Sequence, residues 1–181
     1  MYQLKVTLKE IKPPVWRRIE VPGNIDLGVL HAIVQAVMGW DDGHLHQFIV
    51  GGDYYSDPSP DWGLGDEVLS ERRTTLKQIA AEPGVHFAYE YDLGDSWMHE
   101  ILIEKILPPE KGAHYPRCIK GKRACPPEDI GGAWGYEEFL VAIADPNHPQ
   151  HAEMLEWVGG SFDPEEFDLE EADKSLMPFR K

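Results

Sequence analysis

The sequence is short of cysteine, of basic residues and of long apolar runs, and each shortage removes a class of protein. Its 181 residues hold two cysteines, Cys118 and Cys125. That is too few for the disulfide framework of a small secreted scaffold, so a reducing compartment is expected. Lys and Arg number 17 against 32 Asp and Glu, for a formal net charge of −15. Non-specific nucleic-acid binding is not expected, because phosphate contacts need a cationic surface to release counterions. No apolar run nears the roughly 20 residues that span a bilayer. Met1 leads directly into the alternating "YQLKVTLKEI" rather than a signal peptide, so the expectation is a cytoplasmic protein with no membrane partner. Familiar catalytic signatures are missing too: there is no G-x-x-x-x-G-K-[ST], no G-x-G-x-x-G after a strand, no H-E-x-x-H and no G-x-S-x-G.

What is present is enough apolar and aromatic material, 42% and 10%, to build one core. Leu4, Val6 and Leu8 alternate with Lys5, Thr7 and Lys9 as in a half-buried strand, and "VWRRIEV" resumes in extended form after Pro13 and Pro14. Asp26 stands where a helix N-cap belongs, followed by Leu27, Leu30, Val34 and Val37 at helical spacing and by Gly39 as the stop. "LHQFIV" predicts the next strand, residues 51–66 a loop, and "TTLKQIA" a short helix capped by Thr74 or Thr75. In the last third, Tyr136, Phe139, Leu140 and Ile143 repeat at helical spacing, as do His151, Met154, Leu155 and Val158. "FDPEEF" offers Asp163 as a further N-cap, with Pro164 at the first helical position. The expected fold is α+β: a mostly antiparallel sheet, one helix in the N-terminal half and a C-terminal group of packed helices. A single domain over 1–181 is expected, β-rich in 1–107, with a Cys/PPED loop in 108–133 and helical in 134–181.

The stretch "YEYDLGDSWMHEILIEKI" concentrates Asp92, Asp95, Trp97 and His99 at one hairpin turn. A two-residue turn at Gly94-Asp95 would put the aromatics before and after it on opposite faces. A loop of three residues (94–96) or five (92–96) keeps Phe87, Tyr89, Tyr91, Trp97 and Ile101 on one face, which also turns His99 toward the core. The cluster Asp92, Asp95 and His99 either orders the turn or serves as metal ligands and acid/base groups. His44 and His46, two apart in "GHLHQF", would share a strand face as a metal pair or serve as hydrogen-bonded histidines. Cys118 and Cys125 are free thiols, a reversible disulfide, or part of a zinc site completed by His99 or another histidine. Trp97, Trp134, Tyr136 and Trp62 line a pocket or build core, and Asp129 in "PPEDIGG" orders a loop or faces a ligand.

Charge is unevenly spread. Lys111, Arg117, Lys120, Lys122 and Arg123 form a basic island without an acid, while nine acids lie between Glu153 and Asp173 without Lys or Arg. These are solvated faces, or they attract each other or a charged partner.

"YQLKVTLKEIKPPVWRRIEVP", "LHAIVQAVMGWDDGHLHQF", the hairpin above, "YPRCIKGKRACPPEDIGGAWGYEEFL" and "EWVGGSFDPEEFDL" together resemble the plasmid pRiA4b ORF-3-like family over nearly the whole chain. The resemblance implies a single α+β domain and no established activity. Some members of that family carry transposon-passenger or resolvase labels. A serine resolvase would need an N-terminal nucleophilic serine, and the first serine here is Ser56. Carried over position by position, the family's motifs imply Trp16, Arg17, Arg18, His44, His46, Asp92, Gly94, Asp95, Trp97, His99, Pro126, Pro127, Glu128, Asp129 and Tyr136 as the candidate set. Leu93 departs from the aromatic usual in the turn, and Ile130 stands where many members place a third cysteine.

Two function classes follow, with a third behind them. The first is a non-enzymatic module that binds a small ligand or a protein in a cleft between the sheet and the Cys/PPED loop. The second is a metal-dependent, hydrolytic enzyme using the Asp/His turn with a divalent ion such as zinc. The third is an accessory protein of DNA transposition or recombination.

Overall fold

Alternation in the opening residues becomes strand β1 (Tyr2–Leu8), which buries Leu4, Val6 and Leu8. The computed structural model describes residues 1–57 and 68–180. Trp62, a sequence candidate for a pocket wall, lies outside them. The remaining strands are β2 (Trp16–Val21), β3 (His46–Val50), β4 (Asp53–Ser56), β5 (Leu69–Ser70), β6 (His86–Tyr91), β7 (Trp97–Ile106) and β8 (Arg117–Lys122). Among the described residues they form one sheet in the order β5-β4-β3-β6-β7-β1-β2-β8. Every neighbouring pair is antiparallel except β4 and β5.

Two strands lie where the sequence predicts loops. β4 occupies residues 53–56, and β8 carries Cys118 inside the expected Cys/PPED loop. Both are short, and β8 is an edge strand whose polar residues stay solvated, so neither shows an apolar alternation.

Helix α1 (Leu27–Met38) begins where Asp26 accepts a hydrogen bond from Val29 N (2.9 Å), and it stops at Gly39, whose φ of 89° most side chains resist. Its buried face holds Leu27, Leu30, Ile33, Val34 and Val37. Each such side chain contributes about 1.5–3 kcal/mol on burial, much of it offset by lost chain entropy. The short helix α2 (Leu76–Ile79) is capped by Thr75, one of the two residues expected, in a capping box with Gln78.

The hairpin β6–β7 pairs Tyr91 with Trp97, Tyr89 with His99 and Phe87 with Ile101, and all six are buried. Its loop is the five-residue alternative, 92–96. Arg17 ties the layers together: its guanidinium donates to the carbonyls of Val37, Trp16 and Lys122 and sits 4.4 Å above the Phe167 ring.

The C-terminal third adds α3 (Gly132–Ala144), α4 (His151–Trp157) and α5 (Leu169–Lys174). Tyr136 and Phe139 are buried as their spacing predicts. The helix expected from Asp163 is not there. Asp163 instead accepts from Glu165 N in a local turn, and the helix begins six residues on, capped by Asp168. The extended segment between lets Phe167 lie against the Cα of Gly121 in β8, where any side chain would collide with its ring. No described helix is long and apolar enough to cross a membrane.

Candidate functional site

The buried face of a helix is an unusual place for histidine, and His31 occupies one in α1, 5% exposed. Its ring lies flat against that of His46, at the start of β3, with centroids 3.4 Å apart and planes 4° from parallel. Each imidazole presents Nε2 to a carboxylate: His31 to Asp42 Oδ1 and His46 to Glu71 Oε2, both at 2.7 Å. Asp42 is held at a φ of 59° in the loop between α1 and β3, while Glu71 opens a one-turn helix (Glu71–Arg73) and is 3% exposed.

Behind His31 the hydrogen-bond direction is determined. Gln35 Nε2 donates to Tyr89 OH (2.8 Å), and His31 Nδ1 lies 2.7 Å from the same oxygen. The chain is complete when Tyr89 O–H donates to Nδ1 and Nε2–H donates to Asp42. Burial first, then the neighbouring His46, pushes the His31 pKa down to about 3, with Glu71 opposing. Burial raises that of Asp42, against His46. At neutral pH the His31–Asp42 contact is therefore a neutral imidazole donating to a carboxylate, not an ion pair.

Asp42 and Glu71 bring two carboxylates to the pair, whose formal charge of −2 a divalent cation would balance; His31 would ligate such an ion through Nε2 with its ring proton moved to Nδ1, facing the Tyr89 oxygen. The ligand atoms of His31, Asp42 and His46 lie within 4.8 Å of one another. Histidine nitrogen with carboxylate oxygen suits Zn²⁺, Fe²⁺ or Mn²⁺. The group opens onto a cleft of about 520 Å³, also lined by Val29, Ala32, Ser56, Asp57, Arg72 and Phe179. That is the size of a small-molecule site.

The structure splits the H-x-H pair. Both line the cleft, but only His46 joins the buried stack; His44 has Nε2 3.1 Å from Asp129 and Nδ1 3.5 Å from Asp92. Those three form a second group within 4.8 Å. Asp92, Asp95 and His99 do not converge. Asp92 Oδ1 accepts from Gly94 N and Asp95 N, Asp95 Oδ2 accepts from Gly131 N, and His99 faces the core. There His99 Nδ1 donates to Trp97 O (2.9 Å), its Nε2 has no partner, and burial lowers its pKa to about 4.

Cys118, Cys125 and His99 are not brought together as ligands; among the described residues neither three-ligand group contains a cysteine. Both thiols are free. Burial raises the pKa of each, that of Cys118 to about 11, so both stay protonated and unreactive at neutral pH. Arg17 is a structural cross-tie, and Arg18 forms a two-pronged pair with Glu104 (2.6 and 2.7 Å). Tyr136 and Trp97 are core. The basic island does meet the acidic stretch: Arg123 donates to Glu165 (2.7 Å), and Asp173 accepts from Cys118 N (2.9 Å).

His31, Asp42 and Glu71 are absent from the candidates that the sequence suggests. A histidine at a core position of an amphipathic helix is the one local signal. Glu71 lies 25 residues from its partner His46, and nothing short-range links them.

The plasmid pRiA4b ORF-3-like family model matches residues 1–171. The uncharacterised protein y4hQ of Sinorhizobium fredii (strain NBRC 101917 / NGR234) is 44% identical over 160 residues, which cover 88% of this chain and 81% of that protein. A crystal structure of the protein of unknown function MM3350 from Methanosarcina mazei Go1 is 40% identical, with a TM-score of 0.84 over 93% of this chain and 95% of the other.

Proposed function

Because the chain belongs to the plasmid pRiA4b ORF-3-like family, whose matched relatives have no stated activity, we propose a function from the cleft itself: the protein binds one divalent transition-metal ion through His31, Asp42 and His46, with Glu71 beside His46, and works as a metal-dependent, hydrolytic enzyme. The observation that carries this is the gathering of ligand atoms from His31, Asp42 and His46 within 4.8 Å of one another beside a small-molecule-sized cleft. A divalent ion held there would supply Lewis acidity, which would make a bound water acidic enough to serve as a nucleophile near neutral pH. This chain's residues would hold the ion, and the Tyr89–Gln35 pair behind His31 would orient its ring.

The test is elemental analysis of untagged protein purified without chelator, followed by a screen of ester and phosphoester substrates. Near-stoichiometric metal in the wild type and its loss in Asp42→Asn support the reading. Asp42 is about half exposed, so this nearly isosteric change spares the core. Folded wild type that takes up no Zn²⁺, Fe²⁺ or Mn²⁺ overturns the reading. Metal held without any hydrolytic turnover would leave a metal-dependent binding protein and refute the enzyme.

A further inference from the structure

From Ala124 to Asp173 the chain has fourteen acids and no Lys or Arg. Within that span the outer face of α3 departs from the rule that large apolar side chains are sheltered. Trp134 is 71% exposed and Val141 58%. They lie seven positions apart, so they stand on one side of the helix about 10 Å from each other. Glu137 and Glu138 fall between them at the i+3 and i+4 positions, and among the described residues neither is in an ion pair. These four residues, with His148 and Gln150, line a groove of about 330 Å³. A second hollow of about 210 Å³ adjoins it, sharing Trp134, Glu138 and Gln150 and floored by Phe139 and Met154.

We propose that this α3 face is a docking surface for a basic amphipathic helix of another protein, with apolar side chains seated against Trp134 and Val141 and Lys or Arg side chains against Glu137 and Glu138. Apolar contacts two helical turns apart match the i, i+7 anchors such a helix presents, and exposed aromatic anchors carry most of the energy of interfaces of this kind. Among the described residues no Lys or Arg of the chain forms an ion pair with Glu137 or Glu138. Of the chain's own basic island, Arg117 is paired with Glu20 and Glu110, and Arg123 is buried against Glu165. The metal cleft has no part in this surface, so the two proposals stand or fall separately.

The experiment titrates a synthetic helical peptide of leucine and lysine, amphipathic at the 3.6-residue period, into the full chain. Polylysine and a leucine–glutamate counterpart serve as comparators. Saturable binding is expected for the first peptide alone. It should weaken as ionic strength rises past roughly 0.15 M, and by about 30-fold in Trp134→Ala. The double change Glu137→Gln, Glu138→Gln should weaken it too, whereas Glu170→Gln, Glu171→Gln in α5 should not. Absence of saturable binding, equal affinity for polylysine, or equal loss in the α5 variant would overturn the proposal. So would self-association of the wild type that Trp134→Ala abolishes, because the face would then belong to a second copy of this chain.

Discussion

His99 makes the protein's stability depend on pH in a window that its burial sets. The ring is 1% exposed, edge-on to Trp40 at 5.3 Å and beside Tyr89, and its Nε2 has no partner to share a second proton. Its pKa falls from 6.5 to about 4, chiefly through burial. The unfolded chain thus takes up a proton near pH 6.5, well before the folded one does. The stabilisation is fully present above pH 6.5 and is lost as pH falls toward and through about 4. Two-state linkage with these values removes about 2 kcal/mol between pH 7 and pH 5, and about 3 kcal/mol once both states are protonated. The assay is urea unfolding of wild type and His99→Gln at pH 7 and pH 5, with chelator present so that metal binding does not enter. Glutamine does not titrate, and its fixed cost cancels when each protein is compared with itself across pH. Other groups, His31 included, titrate alike in both. The wild type should lose about 2 kcal/mol more than the variant on acidification. Parallel pH profiles would refute a buried, neutral His99.

Three further outcomes are expected. Tyr89→Phe removes the hydroxyl between Gln35 and His31 Nδ1, and metal affinity should fall about 10- to 100-fold with the ligands untouched, as measured by competition with a chromogenic chelator. Gly121→Ala places a methyl group against the Phe167 ring; unfolding free energy should drop by about 1–3 kcal/mol and proteolysis should begin in the C-terminal segment. Phe48→Ala empties a fully buried position and should cost about 3–5 kcal/mol in urea denaturation, with the midpoint moving and the slope unchanged.

Features governed by neighbours along the chain are legible in the amino-acid sequence alone. Asp26 and Gly39 bound α1 because capping is decided within a turn of the helix, and the odd loop 92–96 follows from keeping Tyr89, Tyr91 and Trp97 on one face. The failures share a different cause. β8 is polar and gains strand geometry from pairing with β2, about a hundred residues earlier in the chain. Asp163 lacks its expected helix because a local turn and the seating of Phe167 on Gly121 favour extended chain. At the site, the sequence draws attention to His44, His46, Asp92 and Asp129, yet it presents His44 and His46 as one pair. The backbone bends ahead of β3, so the two histidines diverge and each meets carboxylates from distant segments. Periodicity carries no information about such meetings.

The most direct test of the metal centre is calorimetric titration of Zn²⁺ into chelator-stripped protein, run in parallel on wild type, Asp42→Asn and His44→Ala. The cleft predicts one saturable equivalent in the wild type, unchanged in His44→Ala and weakened at least about tenfold in Asp42→Asn. No saturable heat in the wild type, or binding that His44→Ala abolishes and Asp42→Asn leaves intact, would contradict it.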